Sequence, residues 1–80
     1  MRAYETLNKL RRGEVIDIEG IKLKMDDGDI KPGDLYVAER NSGPKLLTAK
    51  KVDLQVGCIF PTTWDAYAFD LYECVKVCEA

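Results

Sequence analysis

The chain contains no histidine. That removes the commonest general base, the Ser-His and Cys-His nucleophile pairs and the commonest metal ligand. Its one serine, Ser42, falls in the Asn41-Ser42-Gly43-Pro44 turn signal, with no base beside it in sequence. Cys58, Cys74 and Cys78 are the only thiols. Zinc sites pair cysteines about two to four residues apart. The Cys74-Val75-Lys76-Val77-Cys78 spacing meets that only loosely, and only if the backbone is not extended. In an extended strand the two sulfurs' residues would lie about 13 Å apart, too far for a disulfide. An odd number of cysteines in so short a chain is also a poor disulfide framework. The sequence therefore predicts free thiols packed as small apolar groups.

Carboxylates are plentiful, but their pattern does not match a working site. Asp26-Asp27-Gly28-Asp29 with Asp34 resembles a calcium loop only in composition. An EF-hand places its glycine later and ends on a bidentate Glu, and neither feature is present. A solvated turn is the simpler account. Glu14, Asp17 and Glu19 lie on the polar face or turn of a hairpin, where nothing raises a carboxyl pKa toward general-acid use. The expectation is a non-enzymatic protein with no catalytic residue, no metal and no cofactor.

Two clusters point to binding. Phe60, Trp64, Tyr67, Phe69 and Tyr72 crowd one short stretch. Aromatic side chains bury large areas and anchor protein interfaces. A domain of 80 residues buries only about 60% of its unfolded surface, so some of these rings stay exposed. Phe60, Trp64, Tyr67 and Tyr72 are thus the expected contact residues for a protein partner or a second copy of the chain. The other cluster is basic: Arg40, Lys45, Lys50 and Lys51, with Arg11 and Arg12 able to join them. Lysines beside aromatic rings can track a phosphate backbone while bases stack. Against this alternative stands an isoelectric point of about 5.0 and the absence of any RNP-like, Cys-His finger or helix-turn-helix motif.

These residues must be held by regular elements. Ala3, Tyr4, Leu7 and Leu10 recur at helical spacing. Lys9, Arg11 and Arg12 suit a helix C-terminus, and Gly13 supplies a left-handed stop, so a helix is predicted over about 3–12. Glu14–Ile18 and Ile21–Met25 flank Glu19-Gly20. A two-residue turn there sets Ile18 opposite Ile21 and Ile16 opposite Leu23, all on one face, with Asp17, Lys22 and Lys24 on the other. Lys31-Pro32-Gly33-Asp34 is turn chemistry. Strands follow at about 35–40 and 45–52, forming a second hairpin, and Cys58-Ile59-Phe60 is a short strand ending at Pro61. Residues 63–78 fit two periods. As a strand, Tyr67, Phe69, Leu71, Val75 and Val77 alternate, with Glu73 the exception. As a helix, Trp64, Ala68, Leu71, Val75 and Cys78 align. The β-branched and aromatic content favours the strand.

The predicted fold is α+β and mostly β. It has an N-terminal helix followed by five or six short antiparallel strands, forming a curled sheet or a partly open small barrel in one domain. Hydrophobic residues are 46% and charged residues 32% of the chain, a globular balance. The net charge of −2 hides alternating blocks: residues 1–12 and 35–52 are basic, 13–34 and 53–80 acidic. No stretch is apolar and long enough for a signal peptide or a membrane span, so the expected location is cytoplasmic.

Overall fold

The computed structural model describes residues 4–40, 42–63 and 68–80. Among them one helix, α1 (Glu5–Arg11), precedes seven strands: β1 (Ile16–Ile18), β2 (Ile21–Met25), β3 (Leu35–Arg40), β4 (Gly43–Asp53), β5 (Cys58–Pro61), β6 (Phe69–Asp70) and β7 (Cys74–Glu79). A 3-10 turn, Leu71–Glu73, joins β6 to β7. All pairings are antiparallel, in the order β1-β2-β7-β3-β4-β5-β6, and the sheet is not closed.

Helix α1 ends as its sequence dictates. Gly13, at φ 87°, lets its own N–H reach the Leu10 carbonyl and the Glu14 N–H reach that of Lys9, a Schellman closure. Its start is different. The N-cap is Tyr4, in the left-handed region and without a side-chain cap. The free N–H groups of Thr6 and Leu7 instead donate to the Glu39 carboxylate on β3, at 2.9 and 3.1 Å to Oε1. A buried acid from another element thus does the work of a local Ser or Asp.

The first hairpin has the register expected of it: Ile16 opposite Leu23, Asp17 opposite Lys22, Ile18 opposite Ile21. Glu19 and Gly20 both take positive φ, 54° and 84°, the requirement of a type I′ turn. Ile18 and Leu23 are buried, whereas Ile21 at the turn is partly exposed.

Long-range pairing builds the centre. The last strand, β7, inserts between β2 and β3. Alternation then sends residues to two apolar clusters. On one face Leu7 and Leu10 of α1 meet Ile18, Leu23, Val37, Val75 and Val77, with Tyr4, Ile16 and Leu46 at the margin. On the other Tyr36, Ala38, Ala49, Ile59, Phe69 and Cys74 pack together, flanked by Ile30, Leu47, Val52 and Leu71. Strand β4 reaches both through the adjacent Leu46 and Leu47, and a bulge at Lys50, where the register steps from Ala49–Pro61 to Lys51–Phe60, keeps Val52 on the face of Leu47 and Ala49.

The C-terminal segment departs from both periodic expectations. Within the described part it is neither one strand nor a helix, because the 3-10 turn at Leu71–Glu73 splits it. Phe69 and Leu71 therefore join one cluster and Val75 and Val77 the other, instead of sharing a face. The split also yields the two-residue strand β6, which lifts the strand count to seven.

Candidate functional site

Glu73, the residue that interrupts the apolar alternation, organises the turn. Its side chain accepts from the Asp70 N–H at 3.1 Å, and the Asp70 side chain in turn bonds the backbone of Glu73, a reciprocal capping box. Glu73 is buried and also accepts from the Arg40 guanidinium, with Nη2 3.1 Å from Oε1. Arg40 donates further to the Ala68 carbonyl at 2.9 Å and lies 4.4 Å from the Phe69 ring centroid, a cation–π contact. Burial by itself would push the Glu73 carboxyl pKa up. The Arg40 hydrogen bonds, the Asp70 N–H and the Arg40 charge outweigh it, and the group sits below the usual carboxylate range. The same hydrogen bonds raise the Arg40 pKa.

This scaffold presents Tyr72. The residue is 63% exposed, and its ring meets Tyr4 edge-on at 6.1 Å between centroids. Arg11 of α1 donates to its carbonyl at 3.0 Å. A hydrogen bond from its hydroxyl to Asp70, with that group's charge, raises the phenol pKa.

Leu71 and Arg11, the latter bonded to the Tyr72 carbonyl, help line an open cavity of about 320 Å³ together with Met25, Asp26, Asp29 and Ile30. The acidic loop that forms its rim is tied down rather than loose. The Lys76 Nζ lies 3.5 Å from Asp34 Oδ2 and 3.4 Å from the Asp27 carbonyl, and the Asp26 N–H donates to the Lys76 carbonyl at 2.9 Å. Asp34 accepts from the Lys31 N–H, which with the Lys76 charge holds its carboxyl low. No group of described residues could hold a metal ion. Cys74 also lines the cavity, but burial first and Glu73 second push its thiol up to about 12, far from a reactive thiolate. All three cysteines are free.

Bonded to the same 3-10 turn is the β4–β5 tip. Asp53 Oδ1 accepts from the N–H groups of Gln55 and Val56, both at 3.1 Å, and the Asp53 carbonyl accepts from Gly57 at 2.7 Å. Gly57 turns at φ 83° and its carbonyl accepts from the Leu71 N–H at 2.9 Å. The tip is thereby fastened to the 3-10 turn. It holds Leu54 and Val56 76% and 73% exposed, the two most exposed large apolar side chains described.

The expected contact residues are distributed unevenly. Trp64 and Tyr67 lie outside the described residues. Phe60, 38% exposed, is on β5 with the Lys51 ammonium 5.6 Å from its ring centroid. Because Ile59 beside it enters the second cluster, Phe60 points to the opposite face of that strand. Tyr72 stands on a separate element. Of the basic set, Lys45, Lys50 and Lys51 are exposed on β4, while Arg40 spends its donors on Glu73 and Ala68. Glu14, Asp17 and Glu19 are exposed. Among the described residues the buried acids are Glu39 and Glu73, of which the alternating pattern marked only Glu73, as an exception. Leu54 and Val56 also went unremarked, although two large apolar residues between Asp53 and Gly57 are unusual turn composition.

Against protein-family models, curated proteins and solved structures, the chain gives no match. No helix among the described residues is long and apolar enough to cross a membrane.

Proposed function

We propose that this is a non-enzymatic domain that works by contacting another protein or a second copy of itself. The observation that carries the reading is Tyr72. It is a largely exposed aromatic on a turn held by the Arg40–Glu73 ion pair, and its neighbour Leu71 both lines the open cavity and bonds to the base of the exposed apolar tip. Rigid aromatic side chains lose little entropy on binding and are the preferred anchors of interfaces. The two buried acids support the same side. Glu39 is spent on the helix N-terminus, and Glu73 is spent on Arg40 and Asp70 with a pKa moved away from general-acid use.

Sedimentation of the full chain over a range of concentrations tests this reading. The wild type is expected to self-associate. Tyr72→Ser, whose ring makes one edge contact, is expected to weaken association while moving stability by only about 0.5 kcal/mol. Association unchanged by Tyr72→Ser counts against the surface.

A second reading is favoured by one contact, the Lys51 ammonium over the exposed Phe60 ring, with Lys45 and Lys50 on the same strand. This is the pairing of charge and stacking surface that single-stranded nucleic acid uses. Titration with mixed-sequence single- and double-stranded nucleic acid at two salt concentrations, followed by Trp64 fluorescence, separates the two. Salt-sensitive binding that is lost in Lys50→Ala/Lys51→Ala promotes the second reading.

A further inference from the structure

We infer that Tyr4 is a strained latch: it fastens the start of α1 to the Leu71–Glu73 turn, so that a displacement of the Tyr72 ring is passed to the helix N-terminus, and the reverse. What the latch regulates rests on the contact reading at Tyr72; the latch itself does not. Its origin lies in how α1 is capped. An N-cap residue ordinarily takes an extended backbone and turns its own side chain onto the first free N–H groups. Here Glu39 meets the Thr6 and Leu7 N–H groups from β3, so the side chain at position 4 has no capping duty. Tyr4 occupies that position at φ 62° and ψ 30°. A bulky residue is an outlier in this left-handed region, because its Cβ crowds the carbonyl oxygen that follows.

Such strain persists only where the surroundings over-determine it. Three contacts do so. The Tyr4 carbonyl accepts from the Asn8 N–H at 2.8 Å, which fixes it as the first acceptor of the helix. The Tyr4 ring meets the Tyr72 ring edge-on, with 6.1 Å between centroids. The Tyr4 hydroxyl donates to Glu73 Oε2 at 3.5 Å. Relaxation to the extended backbone of an ordinary N-cap would change both angles and swing the side chain off Tyr72 and Glu73.

The other end of the helix holds the same turn, because Arg11 donates to the Tyr72 carbonyl at 3.0 Å. Helix and turn are therefore clasped at two points, one of them strained. Coupling of this kind is reciprocal. Whatever engages the Tyr72 ring and turns it from Tyr4 releases the strain at position 4. Whatever draws Tyr4 into an extended backbone removes the edge contact that orients Tyr72.

NMR spectroscopy of the full chain tests the latch. A positive φ brings a residue's own N–H and Hα together and gives a strong intraresidue cross-peak, which a negative φ does not. Tyr4 is expected to show the strong cross-peak in the wild type and in Tyr72→Phe, which keeps the ring, and to lose most of it in Tyr72→Ser. In Tyr4→Gly, where positive φ carries no steric cost, the Tyr72 ring resonances are expected to shift. A strong Tyr4 cross-peak retained in Tyr72→Ser, or Tyr72 resonances unmoved by Tyr4→Gly, overturns the latch. Sedimentation of the same samples separates this inference from the contact reading. A wild type that stays monomeric at every concentration, while Tyr4 relaxes in Tyr72→Ser, sinks the contact reading and upholds the latch. A wild type that associates, while Tyr4 keeps its positive φ in Tyr72→Ser, overturns the latch and leaves the contact reading standing.

Discussion

The two faces of the sheet are built to different standards. The face under α1 is closed and aliphatic: Leu7, Leu10, Leu23 and Val37 are wholly inaccessible, and an acid from β3 pins the helix above them. Among the described residues the opposite face gathers chain returning through β5, β6 and the 3-10 turn, with Ile30 at its margin. It holds a thiol, a Tyr36 hydroxyl with no partner among the described residues, and an ion pair at its edge. At its margin the Leu71–Glu73 turn borders the cavity and is bonded to the base of the β4–β5 tip. One face is closed over by the helix, and the other is packed less completely. Small domains have too little interior to close both faces alike.

The largest effect is expected where packing is complete. Leu7→Ala removes a fully buried side chain at the centre of the helix-covered cluster and should lower unfolding stability by about 3 kcal/mol in urea denaturation. A loss under about 1 kcal/mol would mean that the helix is not part of the cooperative core.

Next is Glu73→Gln, at the edge of the open face. It leaves Arg40 without its charged partner and should cost about 2 kcal/mol. The pH dependence has a definite sign. Glu73 titrates below its unfolded value in the native protein, so its contribution is present above the ordinary carboxylate pKa and is lost as pH falls through the lowered folded value. Asp34 acts in the same direction. Acid denaturation followed by circular dichroism should therefore be shallower in Glu73→Gln than in the wild type. Identical acid limbs would show that the ion pair does not hold the turn.

A smaller effect than that of Glu73→Gln is expected at Glu39→Gln. The amide oxygen still accepts from the Thr6 and Leu7 N–H groups but loses the charge that favours a helix N-terminus, a loss of about 1 kcal/mol by the same denaturation. If the loss exceeds that of Glu73→Gln, the ranking of the two faces is reversed.

Much of this was legible in the chain itself, and for a common reason. The C-terminal stop of α1 at Gly13, the Glu19-Gly20 turn, the Ile16–Leu23 register and the strand at Leu35–Arg40 all depend on neighbours within a few residues. Local backbone preference and a period of two or 3.6 decide them. That the thiols are free followed likewise from spacing and count.

What the tertiary structure alone decided depends on residues far apart in sequence. Nothing near Tyr4 announces that the cap of α1 is Glu39, and nothing near β2 or β3 announces that β7 lies between them. Glu73 read as a flaw in an apolar strand because alternation assumes one continuous element. The Arg40 guanidinium, 33 residues away, makes it profitable to bury the acid, break the strand and split its apolar residues between two faces. The candidate surface shares that origin. Clustering in sequence brought the aromatic residues to notice, but only the fold joins the turn that carries Tyr72 to a cavity edged by an acidic loop and to an apolar hairpin tip. Local propensity fixes elements, while long-range hydrogen bonds and burial fix which elements meet.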